Sequence, residues 1–281
     1  MCCRIVSLIL CLQIVFSSFS GVSQNANAIF YFFKMQSAIA QTHTCSFNLK
    51  TIETHNRKQT VSEFVVKVNS TPYKVFLFCV SPNPGVKALL AKGFNDDKVI
   101  VHPNSFPFFN LSLSPYNSLL RKNHHFTMWE MGFNYTKELF ESYIKKDSLM
   151  FMNSIHVLPD EEFDRKICHR IEIIPPLFYF SDYVVKQGED ITSISKRLLL
   201  NDNMILEHNP QLSSMNDVKK GSVIRVPNVL AKRIVLYLDR NTFLPIVQEM
   251  YDDRGLFIRV EMSSLVRNPK FDVNEFSKEK F

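Results

Sequence analysis

The side chains best equipped for chemistry fall in a few places along the 281 residues. His124 and His125 are adjacent, in a stretch from Lys122 to Tyr135 that also holds the only tryptophan, Trp129. Two imidazoles invite a metal or catalytic site. That stretch reads as helical, however, and metal-binding histidines on a helix need a spacing of about four to share one side. Packing and hydrogen bonding is the better reading. Cys168-His169 invites a nucleophile with its base, but neighbours on a strand point to opposite faces and cannot form that pair. Cleavage of a glycan needs two carboxylates flanking the bond, one of them with a raised pKa. Asp252-Asp253 stands beside Arg254 and Gly255 and reads as a solvated hairpin turn; Asp160-Glu161-Glu162 reads as an exposed acidic loop. No residue is assigned a catalytic role, and no metal or cofactor is expected.

Binding chemistry is better represented. Tyr183-Val184-Val185 is an extended apolar run broken at Gly188, a residue that takes a left-handed turn cheaply. Ile191, Ile194 and Leu198 then recur at helical spacing. Asn201 and Asp202 can cap a second short helix carrying Ile205 and Leu206, which ends before Pro210. Val223 to Val226 is a short strand stopped by Pro227. This strand, helix, helix, strand order, with Tyr-x-Val-x-x-Gly at its start, Asn209-Pro210 in the middle and Gly221…Ile224-x-Val226-Pro227 at its end, resembles the LysM module over 181–228. The resemblance implies binding of N-acetylglucosamine glycans such as peptidoglycan in a groove between two loops, Gly188, Glu189, Asp190, Ile191 and Asn209, Pro210, Gln211, Leu212. Where the family usually has Asp-Thr after the glycine, this chain has Glu189-Asp190; both could accept hydrogen bonds from sugar hydroxyls or amides.

The elements that must carry these residues follow from the rest of the chain. Met1-Cys-Cys-Arg4, an apolar run from Ile5 to Phe16 and small residues to Ser23 read as a secretory signal peptide, 1–23, cleaved near Ser23-Gln24. The run is too short for a confident membrane span, and no transmembrane segment is expected after its removal. The net charge of +6 becomes +5 without Arg4 (6 − 1), a balance that favours anionic partners; the cations are scattered, so nucleic acid is not expected. Export permits disulfides, and the mature chain keeps Cys45, Cys79 and Cys168. One bridge with a free thiol, or three buried thiols, both remain open.

A helix is expected from Asn25 to Gln41, burying Ile29, Phe32, Phe33, Ile39 and Ala40. Strands follow over 46–52, 62–68, 73–80 and 98–102, separated by turn clusters, then a mainly helical stretch over 119–140, a strand over 165–174, and a final series from Arg233 to Glu261. The tail from Val266 reads as loosely ordered. Because strand signals stop at Phe180 and resume at Ala231, the module is expected to be inserted into one host spanning 25–180 plus 229–275. The host carries Lys34-Met-Gln36, Tyr73…Phe78 with Ser81-Pro-Asn-Pro-Gly85, Asn104-Ser-Phe-Pro107, Arg121-Lys-Asn-His-His125, Cys168-His-Arg-Ile-Glu172 and Leu236-Tyr-Leu-Asp239…Leu244-Pro-Ile246…Tyr251-Asp-Asp-Arg-Gly-Leu256. In these it resembles an uncharacterised family of exported Bacteroidetes envelope proteins related to the Lol-type lipoprotein carriers. That resemblance implies an α+β fold, a curved antiparallel half-barrel sheet with packed helices and an apolar concave face, here carrying the inserted βααβ LysM-like module. The expected function is non-catalytic: an exported envelope or periplasmic protein that binds peptidoglycan through the module while the half-barrel could hold lipid or lipoprotein. A structural or interaction protein with an inactive LysM groove, and a wall-glycan hydrolase or its accessory, are the alternatives.

Overall fold

The computed structural model describes residues 26–278; the expected signal peptide and its cleavage site lie outside them. Helix α1 (26–40) opens the chain. Strands β1 (Thr44–His55), β2 (Lys58–Ser70), β3 (Tyr73–Ser81), β4 (Lys87–Ala91), β5 (Val99–His102) and β6 (Leu111–Leu113) form an antiparallel meander. Then come α2 (Ser118–Arg121), α3 (Asn134–Lys146), α4 (Ser148–Asn153), β7 (Ile155–Phe163) and β8 (Lys166–Ile173). After an excursion described below, β11 (Arg233–Asp239), β12 (Pro245–Tyr251) and β13 (Leu256–Arg267) complete one eleven-stranded sheet. Its order is β6-β5-β4-β3-β2-β1-β13-β12-β11-β8-β7. Every pairing is antiparallel, and β1 sits at the centre, joined to β13 on one side and β2 on the other.

Alternation decides which face is inside. Phe47, Leu49, Thr51 and Glu53 of β1, Phe64, Val66 and Val68 of β2, and Val75, Leu77 and Cys79 of β3 are buried on the concave side, where they join Phe32 and Met35 of α1 and Leu139 and Phe140 of α3 in one core. On the other face a polar lattice runs across the later strands. Arg170 and Arg259 lie over the Tyr237 ring at 4.6 and 5.4 Å, and ion pairs join Arg170 to Glu161, Arg233 to Glu172, and Arg259 to Glu249 and Glu261.

The excursion between β8 and β11 leaves this sheet. Strands β9 (Phe180–Val184) and β10 (Val223–Pro227) pair with each other, and helices α5 (Ile191–Leu198) and α6 (Asp202–Glu207) lie between them in sequence. Val185, Ile191, Ile194, Ile205, Ile224 and Val226 make a separate small core. Strand β11 then pairs directly with β8, Ile234 opposite Ile173. The excursion is docked by polar contacts: Arg121 grips the Asp202 carboxylate at 2.6 and 3.0 Å, and Asn201 and Asn203 donate to the carbonyls of His125 and His124.

Several sequence expectations change. The stretch over 119–140 is mostly not helix: Asn123 (φ +64°) and Gly132 (φ +80°) break it, and only α2, a 3₁₀ turn at Met128–Glu130 and the start of α3 remain. At Gly132 a Cβ would also meet Val68 Cγ1 at 3.2 Å. Helix α1 buries Ala28, Phe32, Met35, Ala38 and Ile39, while Phe33 is half exposed and Ala40 exposed, so the inward face is rotated from the one expected. Asp160-Glu161-Glu162 belongs to edge strand β7, not a loop, with a register shift between Leu158 and Glu161. Strands β4 and β6 were not anticipated. The tail is tied down: Asn268 accepts from the His43 amide at 2.8 Å, and Glu275 is buried against Lys67. Cys45, Cys79 and Cys168 are all free and buried.

The Arg121–Asp202 pair is nearly dry, with side chains 10% and 6% exposed. Removing one partner leaves the other charge buried and unpaired. Asp202→Asn should therefore lower unfolding free energy by about 3 kcal/mol in urea titrations.

Candidate functional site

A cavity of about 410 Å³ lies between the concave face and the chain that crosses it. Its floor is built by inward residues of neighbouring strands: Phe47, Leu49 and Thr51 of β1, Phe64 of β2, Leu77 of β3, Ala88 of β4, Met250 of β12, and Ile258 and Met262 of β13. Its roof is the segment from Pro115 through α2 and the 3₁₀ turn into α3, contributing Leu119, Leu120, Phe126, Met128, Met131 and Tyr135. The volume falls in the ordinary range for small-ligand sites, which are mostly apolar with few polar groups. A second, more open hollow of about 950 Å³ separates the roof from α5 and α6, with Tyr116, Arg121, Glu130, Lys196 and Asp202 on its walls. That polar lining suits water better than an apolar ligand.

Local chemistry holds the roof in place. The Tyr73 hydroxyl donates to the carbonyls of Met128 and Met131, at 2.7 and 2.9 Å, and its ring stacks on Trp129. Thr127 and Glu130 form a capping box around the 3₁₀ turn. Glu53, 2% exposed, is the deepest anchor: one carboxylate oxygen meets His124 Nδ1 at 2.9 Å, and the other meets His125 Nδ1 at 2.9 Å and the His125 amide at 2.5 Å. Across the cavity the Thr136 hydroxyl donates to Gln248 Oε1 at 3.2 Å. Two hydroxyls remain unpartnered, Thr51 Oγ1 and Tyr135 OH. Both residues line the cavity, and each offers an unused polar group in a wall that is largely apolar, with Glu53, Lys122, His124 and Glu130 among its polar members.

The histidines expected to pack and hydrogen-bond do so, but the helix on which that reading rested is a loop here. Its partners, Glu53 and His55, stand at i and i+2 on β1, a spacing that places two strand residues on one face; both lie beyond the strand expected over 46–52, in the stretch read as a turn cluster before 62–68. One ligand atom each from Glu53, His55 and His125 lies within 4.8 Å of the others, and the same is true of His208, Asp252 and Asp253. Cys168 and His169 do sit on a strand, facing opposite ways: Cys168 opposes Asp239, and His169 stacks on Tyr31 of α1 and bonds Asp160 at 3.2 Å. Burial pushes the Cys168 thiol up to about 11 and the Cys45 thiol up to about 12, which leaves both protonated at neutral pH.

The eight residues proposed to face a glycan are placed differently from one another. Gly188 turns the chain at φ +77° and is exposed. Glu189 accepts from the Tyr183 hydroxyl, Arg197 and the Lys186 amide, and Asp190 caps α5. Ile191 is buried in the small core, and its amide donates to the Met215 carbonyl. Asn209, fully buried, bridges the Ile205 and Arg225 backbones. Pro210 and Gln211 are exposed, and Leu212 packs against the small core. Pro210 also borders a shallow hollow with Glu207, His208 and Arg254.

Residues 40–177, just under half the chain, match the model of a family described as a protein of unknown function (DUF1571). That match spans β1 to β8 and stops before the excursion. No curated protein matches this chain. Among solved structures, a LolA superfamily protein from Nitrosomonas europaea aligns at 10% identity, covering 90% of this chain and 99% of its own, with a TM-score of 0.36. The lipoprotein LppX of Mycobacterium tuberculosis aligns at 11% identity over 88% and 98% of the two chains, with a TM-score of 0.42. A DUF1329 family protein from Desulfovibrio piger aligns at 10% identity over 89% and 96%, with a TM-score of 0.38.

Among the roof residues Glu130 carries a pH signature. Burial, the largest influence, raises its carboxyl above the ordinary value. A folded-state value above the unfolded one means that the group favours folding at low pH and that this contribution is lost as pH rises through the folded value. Glu130→Gln removes the titration. The stability of the wild type relative to the variant should therefore fall as pH rises above about 4, measured by denaturant unfolding at each pH.

Proposed function

We propose that the half-barrel is a non-catalytic carrier or binding module for an apolar ligand, the acyl chain of a lipid or lipoprotein, in the bacterial envelope. The observation that carries this reading is the roofed cavity: aliphatic, aromatic and thioether side chains from both sides of the central strand β1 converge on one volume that they do not fill. An interior packed for stability alone keeps few voids larger than a water molecule, whereas ligand sites keep them. Thr51 and Tyr135 supply the few polar groups that orient such a ligand. The envelope location rests on the secretory reading of 1–23. Cys45, Cys79 and Cys168, buried and free, suit a chain that does not depend on an oxidising compartment for its fold.

The test is native mass spectrometry and lipid extraction of the purified protein, followed by displacement of a fluorescent fatty acid. Ala88 is a small residue in the cavity wall; Ala88→Phe should reduce acyl binding at least about tenfold with an unchanged circular dichroism spectrum, because the added ring occupies ligand space. Absence of any acyl ligand or uptake in the wild type would defeat the reading.

The unit over 181–228 is read as a LysM-like module added to the host of 25–180 and 229–275, with peptidoglycan as its partner. What favours this is the βααβ order around its own small core, with Gly188, Pro210 and Gln211 exposed on the two loops the family uses. Since Glu189, Asp190 and Asn209 are committed to internal hydrogen bonds, and Gln211 spends only one amide N–H, on Asn209 Oδ1 at 3.2 Å, Pro210 and Gln211 carry the contact. Gln211→Ala should reduce co-sedimentation with purified sacculi several-fold without changing Tm, in line with the loss of one hydrogen bond of about 1 kcal/mol. Sedimentation equal to that of the wild type would make the module structural.

A further inference from the structure

We propose that Glu53, His55 and His125 form a binding site for one divalent transition cation of the Zn²⁺ class, at the seam where the half-barrel, its roof and the 181–228 unit meet. The three residues arrive from two directions. Glu53 and His55 share one face near the end of β1, and His125 comes down from the roof segment after α2. Their ligand atoms lie within 4.8 Å of one another. The telling atom is His55 Nε2, which is buried and has no hydrogen-bond partner. It stands 3.9 Å from Glu53 Oε2, too far for a hydrogen bond. Two ligands on a tetrahedral zinc, with bonds of about 2.0–2.1 Å, lie about 3.3–3.4 Å apart. The 3.9 Å gap and the 2.9 Å from Glu53 Oε2 to His125 Nδ1 bracket that separation; the cation takes the place of the proton between those two atoms, which is released to solvent on binding.

The surroundings of His55 select the nitrogen that would bind. Glu207 of α6 places a carboxylate oxygen 3.5 Å from His55 Nδ1, and Arg254 steadies Glu207 from its other side. A carboxylate at Nδ1 keeps the proton there and leaves Nε2, the nitrogen on the Glu53 side, with the free lone pair, as in the carboxylate–histidine–metal arrangement found around zinc. His124 holds the remaining Glu53 oxygen at 2.9 Å and so orients the carboxylate. The His55 and His125 rings stack at 4.0 Å with planes 12° apart. An ion lies near the plane of each imidazole it binds, so His55 turns about χ2 to meet it, and its partly exposed side chain has room for that turn. Two imidazoles and one carboxylate suit zinc-like cations; magnesium and calcium favour all-oxygen sites. Because Glu207 belongs to the 181–228 unit, cation binding draws α6 toward β1 and the roof.

The experiment uses the whole mature chain, stripped with a chelator and then equilibrated with zinc, with magnesium as the comparison cation. Elemental analysis after gel filtration should give one zinc per chain and no magnesium, and Tm should rise with zinc. His55→Ala should weaken zinc affinity at least about 100-fold, and Glu207→Gln about 10–100-fold, as outer carboxylates commonly do. His156→Ala, an exposed histidine on β7, should change neither. X-ray absorption of the zinc form should show two imidazoles in the first shell. Failure to retain zinc, or retention unchanged in both His55→Ala and Glu207→Gln, overturns the proposal.

Discussion

The buried carboxylate of Glu53 is the constraint on which the arrangement of the site depends. An ionised carboxylate that is 2% exposed is tolerable only when its oxygens are met by donors. Here all of them come from one loop: the rings of His124 and His125 and the His125 backbone amide. Those bonds hold the Glu53 carboxyl well below its usual range despite the opposing effect of burial, which is the largest single influence on it. Meeting the needs of Glu53 therefore fixes the loop from Arg121 to Thr127 over the sheet. Once that loop is fixed, its two outward carbonyls, of His124 and His125, become the acceptors for Asn203 and Asn201, and Arg121 is aimed at Asp202. One buried charge thus sets the position of the roof, and the roof sets the position of the small βααβ unit.

The same logic explains why the cavity stays open. Roof and floor are held apart by directional contacts instead of by side chains meeting in the middle. Tyr73 props the 3₁₀ turn through two backbone carbonyls, Thr136 reaches Gln248, and Gly132 fits where a Cβ would press on Val68. A roof resting only on hydrophobic contacts would be free to settle until the gap closed, since each unfilled contact forfeits dispersion energy. Polar props have fixed lengths. They leave a gap of defined height between two apolar surfaces, the shape that a flexible chain of methylene groups can fill.

The parts of this architecture legible in the sequence are those written in local pattern. Alternation in β1, β2, β3 and the late hairpin identified an antiparallel meander, and the spacing of Ile191, Ile194 and Leu198 identified α5. The misreadings have equally local causes. Asn56-Arg57 and Asp164-Arg165 are two-residue turns with both residues left-handed, so the flanking strands run right up to them; His55, which looks like turn punctuation, is a strand residue opposite Lys58. Strand β7 hid behind three exposed acids; Glu161 pairs with Arg170 and accepts from the Tyr237 hydroxyl, and Asp160 meets His169, contacts that no local pattern announces. In α1 the inward stripe is set by packing against Phe140 and Phe151, at 5.5 and 5.3 Å from Phe32. Hydrophobicity alone could not choose among five adjacent apolar residues.

What no local pattern could reveal is the meeting of distant segments. Glu53 and His55 come from β1, His125 from the roof some seventy positions later, and Glu207 from the end of α6 in the βααβ unit. The sole sequence trace is the i, i+2 pair in Glu53-Thr54-His55, and it carries meaning only if β1 is known to extend that far. That extension is in turn a consequence of the tight turn at Asn56-Arg57: a looser turn would release His55 from the ladder and let its ring leave the face it shares with Glu53. The register of one hairpin thus decides whether a histidine faces solvent or joins a buried cluster. Since a one-residue slip in a strand reverses every side chain, such a hairpin cannot drift without losing the anchor of the roof. Register, buried charge and cavity are therefore one linked constraint, with its origin in two residues at the tip of a hairpin.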